Sequence, residues 1–179
     1  MDGWHQPRRC PSRQLHRRDD LGRLALPYPV RTPNLPARFL QVSCDDAYYS
    51  RSVYYQDAKL NLVEKAWDGK GWYQGGFHVA NKVPRAPLGV TSWGEGNSLG
   101  IRVYYGTVSN VIKEKGWDGS SGGWYDGGFS QESVPGSRVC AIPLDILRVY
   151  IQNGTLSTAV TEFAWEGKWV VGKDALPPA

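Results

Sequence analysis

The chain has 179 residues and a formal net charge of +4, with eight Trp, ten Tyr and 21 Gly against a single Met. That length allows one ordinary domain with a sizeable core, and aromatics alternating with Gly favour strands and tight turns over helices. No apolar run nears the roughly 20 residues of a membrane-crossing helix, and no secretory signal opens the chain, so a cytoplasmic protein or one released by a non-classical route is expected.

Residues 1–38 carry eight Arg and three Asp among repeated Pro, a net of +5, while the remainder nets −1. The basicity thus belongs to a tail, read as disordered or loosely attached, and no nucleic-acid partner is inferred from it. A basic arm for acidic polymers and a segment outside the true folded protein are the alternatives. Cys10, Cys44 and Cys140 form an odd set without metal-ligand spacing and read as buried or free thiols. His5, His16 and His78 are scattered, so neither a metal nor a cofactor is expected.

From about Leu40 the texture becomes β, and one pattern occurs three times. RSVYYQDAKLNLVEKAWDGKGWYQGGF (51–77), LGIRVYYGTVSNVIKEKGWDGSSGGWYDGGF (99–129) and LRVYIQNGTLSTAVTEFAWEGKWVVGK (147–173) share a Val–Tyr start, a Glu three residues before a Trp, an acidic–Gly turn and a second Trp. Self-similarity at about 48 residues is the mark of a repeat architecture. First strands are expected at 40–44, 88–93 and 138–142. Second strands contain 53–55, 101–105 and 147–151; third strands contain 62–67, 111–117 and 160–165; fourth strands begin at Trp72, Trp124 and Trp169. Asp68-Gly69, Asp118-Gly119 and Glu166-Gly167 supply hairpin turns, as does Asn153-Gly154. The expected fold is all-β: four-stranded antiparallel meanders of a β-propeller, three blades at 39–86, 87–137 and 138–179, half of a six-bladed ring.

Arg102 and Glu114 stand 12 residues apart in the hairpin of strands two and three. A symmetric turn at Val108 sets them directly opposite each other on one face, with Val103 and Tyr105 on the other. The last unit repeats the pair as Arg148 and Glu162. The first keeps Glu64 but has Ser52 in place of the Arg, with Arg51 one position off and so on the opposite face. Such a pair either steadies the blade, where an exposed ion pair contributes about 0–1 kcal/mol, or grips hydroxyls through a fork of donors and two acceptors. Trp67/Trp72, Trp117/Trp124 and Trp165/Trp169 flank the turns between strands three and four. They fill an aromatic core or offer ring faces to the C–H patch of a pyranose.

The run IRVYY…E..WDG…GWY.GGF, preceded by the TSWG of residues 91–94, resembles the fucose-binding lectins of fungi and soil bacteria (the Aleuria type), six-bladed propellers, over residues 39–179. The resemblance implies that each sugar sits between two blades, with Arg, Glu and a small residue from one and an apolar residue and Trp rings from the next. One site then joins Arg102, Glu114 and Gly128 to Leu147, Trp165 and Trp169. A second uses Arg148 and Glu162 with Trp67 and Trp72 of a partner chain, in a homodimer that closes the ring. The first junction, with Glu64, Gly76, Ile101, Trp117 and Trp124, lacks the Arg and is expected to be weak or silent. In the last unit the double Gly and the Phe are missing after Trp169, where the chain has Val170, Val171 and Gly172.

The expected partners are therefore fucosylated glycans, and the expected role is binding without catalysis. A propeller that only mediates protein contacts is one alternative. A glycosidase is the other, disfavoured because hydrolysis takes two carboxylates about one bond and each site is expected to offer one Glu, held ionised by its Arg.

Overall fold

Three antiparallel sheets follow one another along the chain. The computed structural model describes residues 40–44, 51–81, 83–154 and 160–172; the tail expected at 1–38 lies outside them. The first sheet holds β1 (Leu40–Cys44), β2 (Arg51–Gln56), β3 (Leu62–Trp67) and β4 (Trp72–Val79). The second holds β5 (Leu88–Trp93), β6 (Gly100–Gly106), β7 (Val111–Asp118) and β8 (Tyr125–Glu132), with one 3-10 turn at Gly96–Ser98 before β6. The third holds β9 (Val139–Pro143), β10 (Leu147–Ile151), β11 (Thr161–Trp165) and β12 (Trp169–Val171). Each sheet is a meander in chain order, and β5 touches both β1 and β9. The first strands therefore run side by side where three propeller blades meet. Among the described residues no helix is long and apolar enough to cross a membrane.

The burial of β6 explains the stacking. Successive side chains leave a strand on opposite faces. Ile101, Val103 and Tyr105 pack with Tyr54, Leu62 and Phe77 of the first sheet. Tyr104 packs the other way, with Ile112 and Phe129, against Val149, Ile151 and Phe163 of the third. The middle sheet is thus buried on both faces, and each seam is an apolar core shared by two blades.

Two local features differ from the sequence expectation. The β6–β7 connection closes with Asn110 in the left-handed region (φ 56°) and Thr107 N–H bonded to the Val111 carbonyl. This extra residue shifts the register so that Tyr104, not Arg102, is opposite Glu114, and Arg102 is opposite Gly116. Arg148 likewise pairs with Ala164 and Tyr150 with Glu162. Arg and Glu are diagonal neighbours on one face, not directly opposed. In the second sheet the fourth strand starts at Tyr125, after Trp124.

The repeated Gly–Gly–Phe has a structural cause. Lys113 pairs with Ser130 and Lys115 with Asp126, so Glu114 alone faces Gly127, Gly128 and Phe129 across a bulge. Glu64 faces Gly75, Gly76 and Phe77 in the same way, between the Val63–His78 and Lys65–Gln74 pairs. A Cβ on Gly127 would lie 2.4 Å from the Glu114 carboxyl carbon, and one on Gly75 2.2 Å from Glu64 Oε2. The detour of the fourth strand makes the seat of the carboxylate, and the Phe N–H of that detour donates to it at 3.1 Å in both blades. Gly172 fills the same place beneath Glu162, where a Cβ would meet Oε1 at 2.2 Å. The last unit therefore keeps the seating glycine although it has lost the double Gly and the Phe.

Candidate functional site

A cavity of about 550 Å³ opens at the seam of the second and third blades. Arg102, Glu114 and Gly128 line it from the second blade and Leu147, Trp165 and Trp169 from the third. These are the six residues expected to meet there. Arg102 Nε lies 3.2 Å from Glu114 Oε1, with the side chains 15% and 5% exposed. Glu114 Oε2 accepts the Phe129 N–H, and the Trp169 indole N–H, from the next blade, also bonds the carboxylate. Burial pushes the Glu114 pKa up, and this outweighs the Phe129 N–H, the Arg102 charge and Trp169, which all pull it down. Arg102 does favour the ionised carboxylate, as expected, but desolvation in this covered seam is the larger effect.

The two Trp residues divide the work. Trp169 packs edge-on against Phe129 at 4.8 Å and Tyr104 at 6.2 Å between ring centroids, so it belongs to the core of the seam as well as to the cavity. Trp165, 5.5 Å from Trp169, is 42% exposed at the mouth. Gly128 leaves the gap in front of both: a Cβ there would be 3.8 Å from Trp169 and 3.9 Å from Trp165.

Several lining residues were not among those expected. Trp93, Tyr125 and the 143–146 connection also line the cavity, as do Asp126 and Asp145. The expectation of one carboxylate per site is therefore too low. Asp126 is bonded to Lys115 and Asp145 to Arg148, and both are largely exposed. The signals were present in sequence: Trp93 ends the TSWG strand and Tyr125 follows the second Trp of the repeat, but nothing in one sequence separates rim from core.

The seam of the first and second blades holds a smaller cavity of about 330 Å³, lined by Glu64, Gly76, Ile101, Trp117 and Trp124 together with Ser52 and Arg51. Here Ser52 Oγ and Tyr54 O–H donate to Glu64 Oε1 at 2.9 and 3.0 Å. The Ser52 hydroxyl stands where the other two blades have a guanidinium, while Tyr54 holds the repeat position of Tyr150, which bonds Glu162 in the same way. Arg51 pairs with Trp67 on the far side of the register and is exposed.

Arg148 and Glu162 form their own ion pair, Nη1 to Oε1 at 2.7 Å, and Tyr150 O–H donates to Glu162 Oε2 at 2.6 Å. Trp67 and Trp72 sit 5.7 Å apart on the first blade, with Trp72 52% exposed. The second blade intervenes, so these four residues are not brought together within one chain. Among the described residues no group of His, Cys, Asp and Glu could hold a metal ion, and Cys140 is a free, exposed thiol.

Residues 36–179 match the family model for the fungal fucose-specific lectin. A fucose-specific lectin of Arthroderma benhamiae is 39% identical over 135 residues, covering 71% of this chain and 37% of that protein. Among solved structures, the SapL1 lectin in complex with alpha methyl fucoside is 57% identical with a TM-score of 0.72, covering 81% of this chain and 50% of that one. The Aleuria aurantia lectin, described as a six-bladed β-propeller, is 27% identical with a TM-score of 0.56, covering 69% and 43%. The chain thus spans half or less of the length of these relatives.

Proposed function

The chain belongs to the fungal fucose-specific lectin family, and from that premise we propose that it binds L-fucose-containing glycans at the seams between its blades, without catalysis. The observation that carries this reading is the convergence of Arg102, Glu114, Gly128, Leu147, Trp165 and Trp169 on one cavity. A 6-deoxyhexose needs directed hydrogen bonds on its hydroxyl edge and apolar contact on its C–H face and methyl group. Arg102 supplies donors, Glu114 acceptors, and the Trp rings the apolar wall. Leu147 is the apolar edge for the methyl group.

The seam of the first two blades is a weak site by the same chemistry, since Ser52 offers Glu64 a single hydroxyl where the other blades present a guanidinium. Arg148 and Glu162 make one half of a further site, and Trp67 and Trp72 the other half, to be joined in a homodimer. Binding without turnover is supported by the state of the carboxylates: Glu114 is tied to Arg102, Phe129 and Trp169, and Asp126 and Asp145 each to a cation.

On a glycan array the chain should label fucosylated structures, with free L-fucose competing, and a chromogenic fucoside should release no product. Arg102→Ala with Glu114→Ala should lower affinity at this seam by about a hundredfold or more, since charge-assisted bonds are the strong ones. Undiminished binding by that double variant would remove the assigned site.

A further inference from the structure

The guanidinium of Arg102 is held on more sides than ion pairing with Glu114 requires. Its Nη1 donates to the Ile101 carbonyl at 2.9 Å, the Trp117 carbonyl at 3.2 Å and Asp118 Oδ1 at 2.9 Å. The other Asp118 oxygen accepts the Tyr125 O–H. The guanidinium carbon lies 4.8 Å from the centroid of the Trp93 ring and 5.4 Å from that of Tyr125. Two aromatic faces thus contact the planar group, a carboxylate fixes one end, and Glu114 takes Nε. Nη2 takes part in none of these contacts.

The third blade repeats the Arg–Glu pair without this frame. Glu166 and Val170 stand in the repeat where Asp118 and Tyr125 stand in the second blade. Arg148 Nη1 is bound to Glu162 and Nη2 to the exposed Asp145 at 3.4 Å, while its buried Nε has no hydrogen bond. One arginine keeps an edge outside these contacts; the other has both ends engaged.

We propose that Asp118 and Tyr125 are positioning residues of the fucoside cavity: they lock Arg102 so that its Nη2 edge faces the ligand, and they make the seam of the second and third blades the strongest site in the chain. This rests on the reading of that cavity as a fucoside site. A side chain fixed before binding loses little freedom on binding, so the lock acts on affinity without touching the sugar. A bond to an ionised group is strong, and Asp118 also orients the Tyr125 ring that covers the guanidinium.

The test is a titration with methyl α-L-fucoside, following the Arg102 Nε–H resonance by NMR, with Arg102→Lys identifying the signal. In the wild-type chain the resonance should shift on titration. Asp118→Asn should bind about tenfold and Tyr125→Phe about threefold more weakly, as expected for loss of a charge-assisted and of an indirect bond. In both, the Nε–H signal should broaden before any ligand is added. Glu166→Gln, at the corresponding turn of the third blade, should change neither quantity at this seam. Tyr125→Phe removes one oxygen only and keeps the test readable if Asp118→Asn fails to fold. A wild-type resonance that ignores the sugar would overturn the cavity reading and the lock together. A wild-type shift with unaltered affinity in both variants would overturn the lock alone, as would weaker binding with an unaltered Arg102 signal.

Discussion

Glu114 is the residue on which acid sensitivity turns. Its pKa is raised above the ordinary 4.5, chiefly by burial. A carboxyl raised by folding holds its proton better in the folded chain, so its contribution to stability is lost as pH rises from the unfolded value towards the folded one. Sugar binding has the opposite sign, because the ionised form is the acceptor. On acidification, affinity for methyl α-L-fucoside should begin to fall while the pH is still above 4.5, and the residual affinity of Glu114→Gln should be flat there. Calorimetry across that range checks it. Asp118 does not confuse the assignment: burial pushes it up, but its bonds to Tyr125 and Arg102 prevail and keep it below 3.8. The identity of this pair was legible from the Arg–Glu spacing. Its electrostatics were not, because the spacing of a hairpin does not report how dry its face becomes once another blade covers it.

At the scale of the strand, the bulge of β8 opposite Glu114 ties fold to site. Gly127 and Gly128 are neighbours with different duties. Gly127→Ala drives a methyl group into the Glu114 carboxyl. The carboxyl must leave its Phe129 and Arg102 partners, costing about 1–3 kcal/mol for the disrupted bonds and most of the sugar affinity. Gly128→Ala meets the two indoles only at ordinary contact distance, so it should keep its melting temperature while narrowing the cavity and weakening binding. Thermal unfolding beside a fucose titration separates the two; equal loss of stability in both would contradict the assignment. The recurrence of Gly–Gly–Phe was plain in the sequence. That three residues of one strand would face a single residue of the other could not be seen, since register depends on turn geometry: Asn110 in the left-handed region moved the pairing of β6 and β7 away from simple symmetry.

For the whole molecule, what matters is that each seam draws on two blades. The three-blade reading followed from the repeat itself, which needs no knowledge of packing; which face of β6 served which neighbour followed from alternation once the strands were paired. Closure between copies was not legible, because it depends on surfaces outside any one blade. If first and third blades of two chains meet, the mass in solution with L-fucose present should be twice the 19.9 kDa of the chain, and Trp72→Ala should weaken the Arg148–Glu162 site of the opposite copy. A single-chain mass with and without the sugar would count against closure. On the proposed function each blade lends its Glu face to one pocket and its Trp rings to the neighbouring one, so tandem duplication of a blade would multiply binding sites without inventing one. An open row of n blades encloses n − 1 of them and a closed circle n, so gene-level gain or loss of a repeat is a change of valency, while a lesion in one repeat disables at most the pair of pockets on its two flanks.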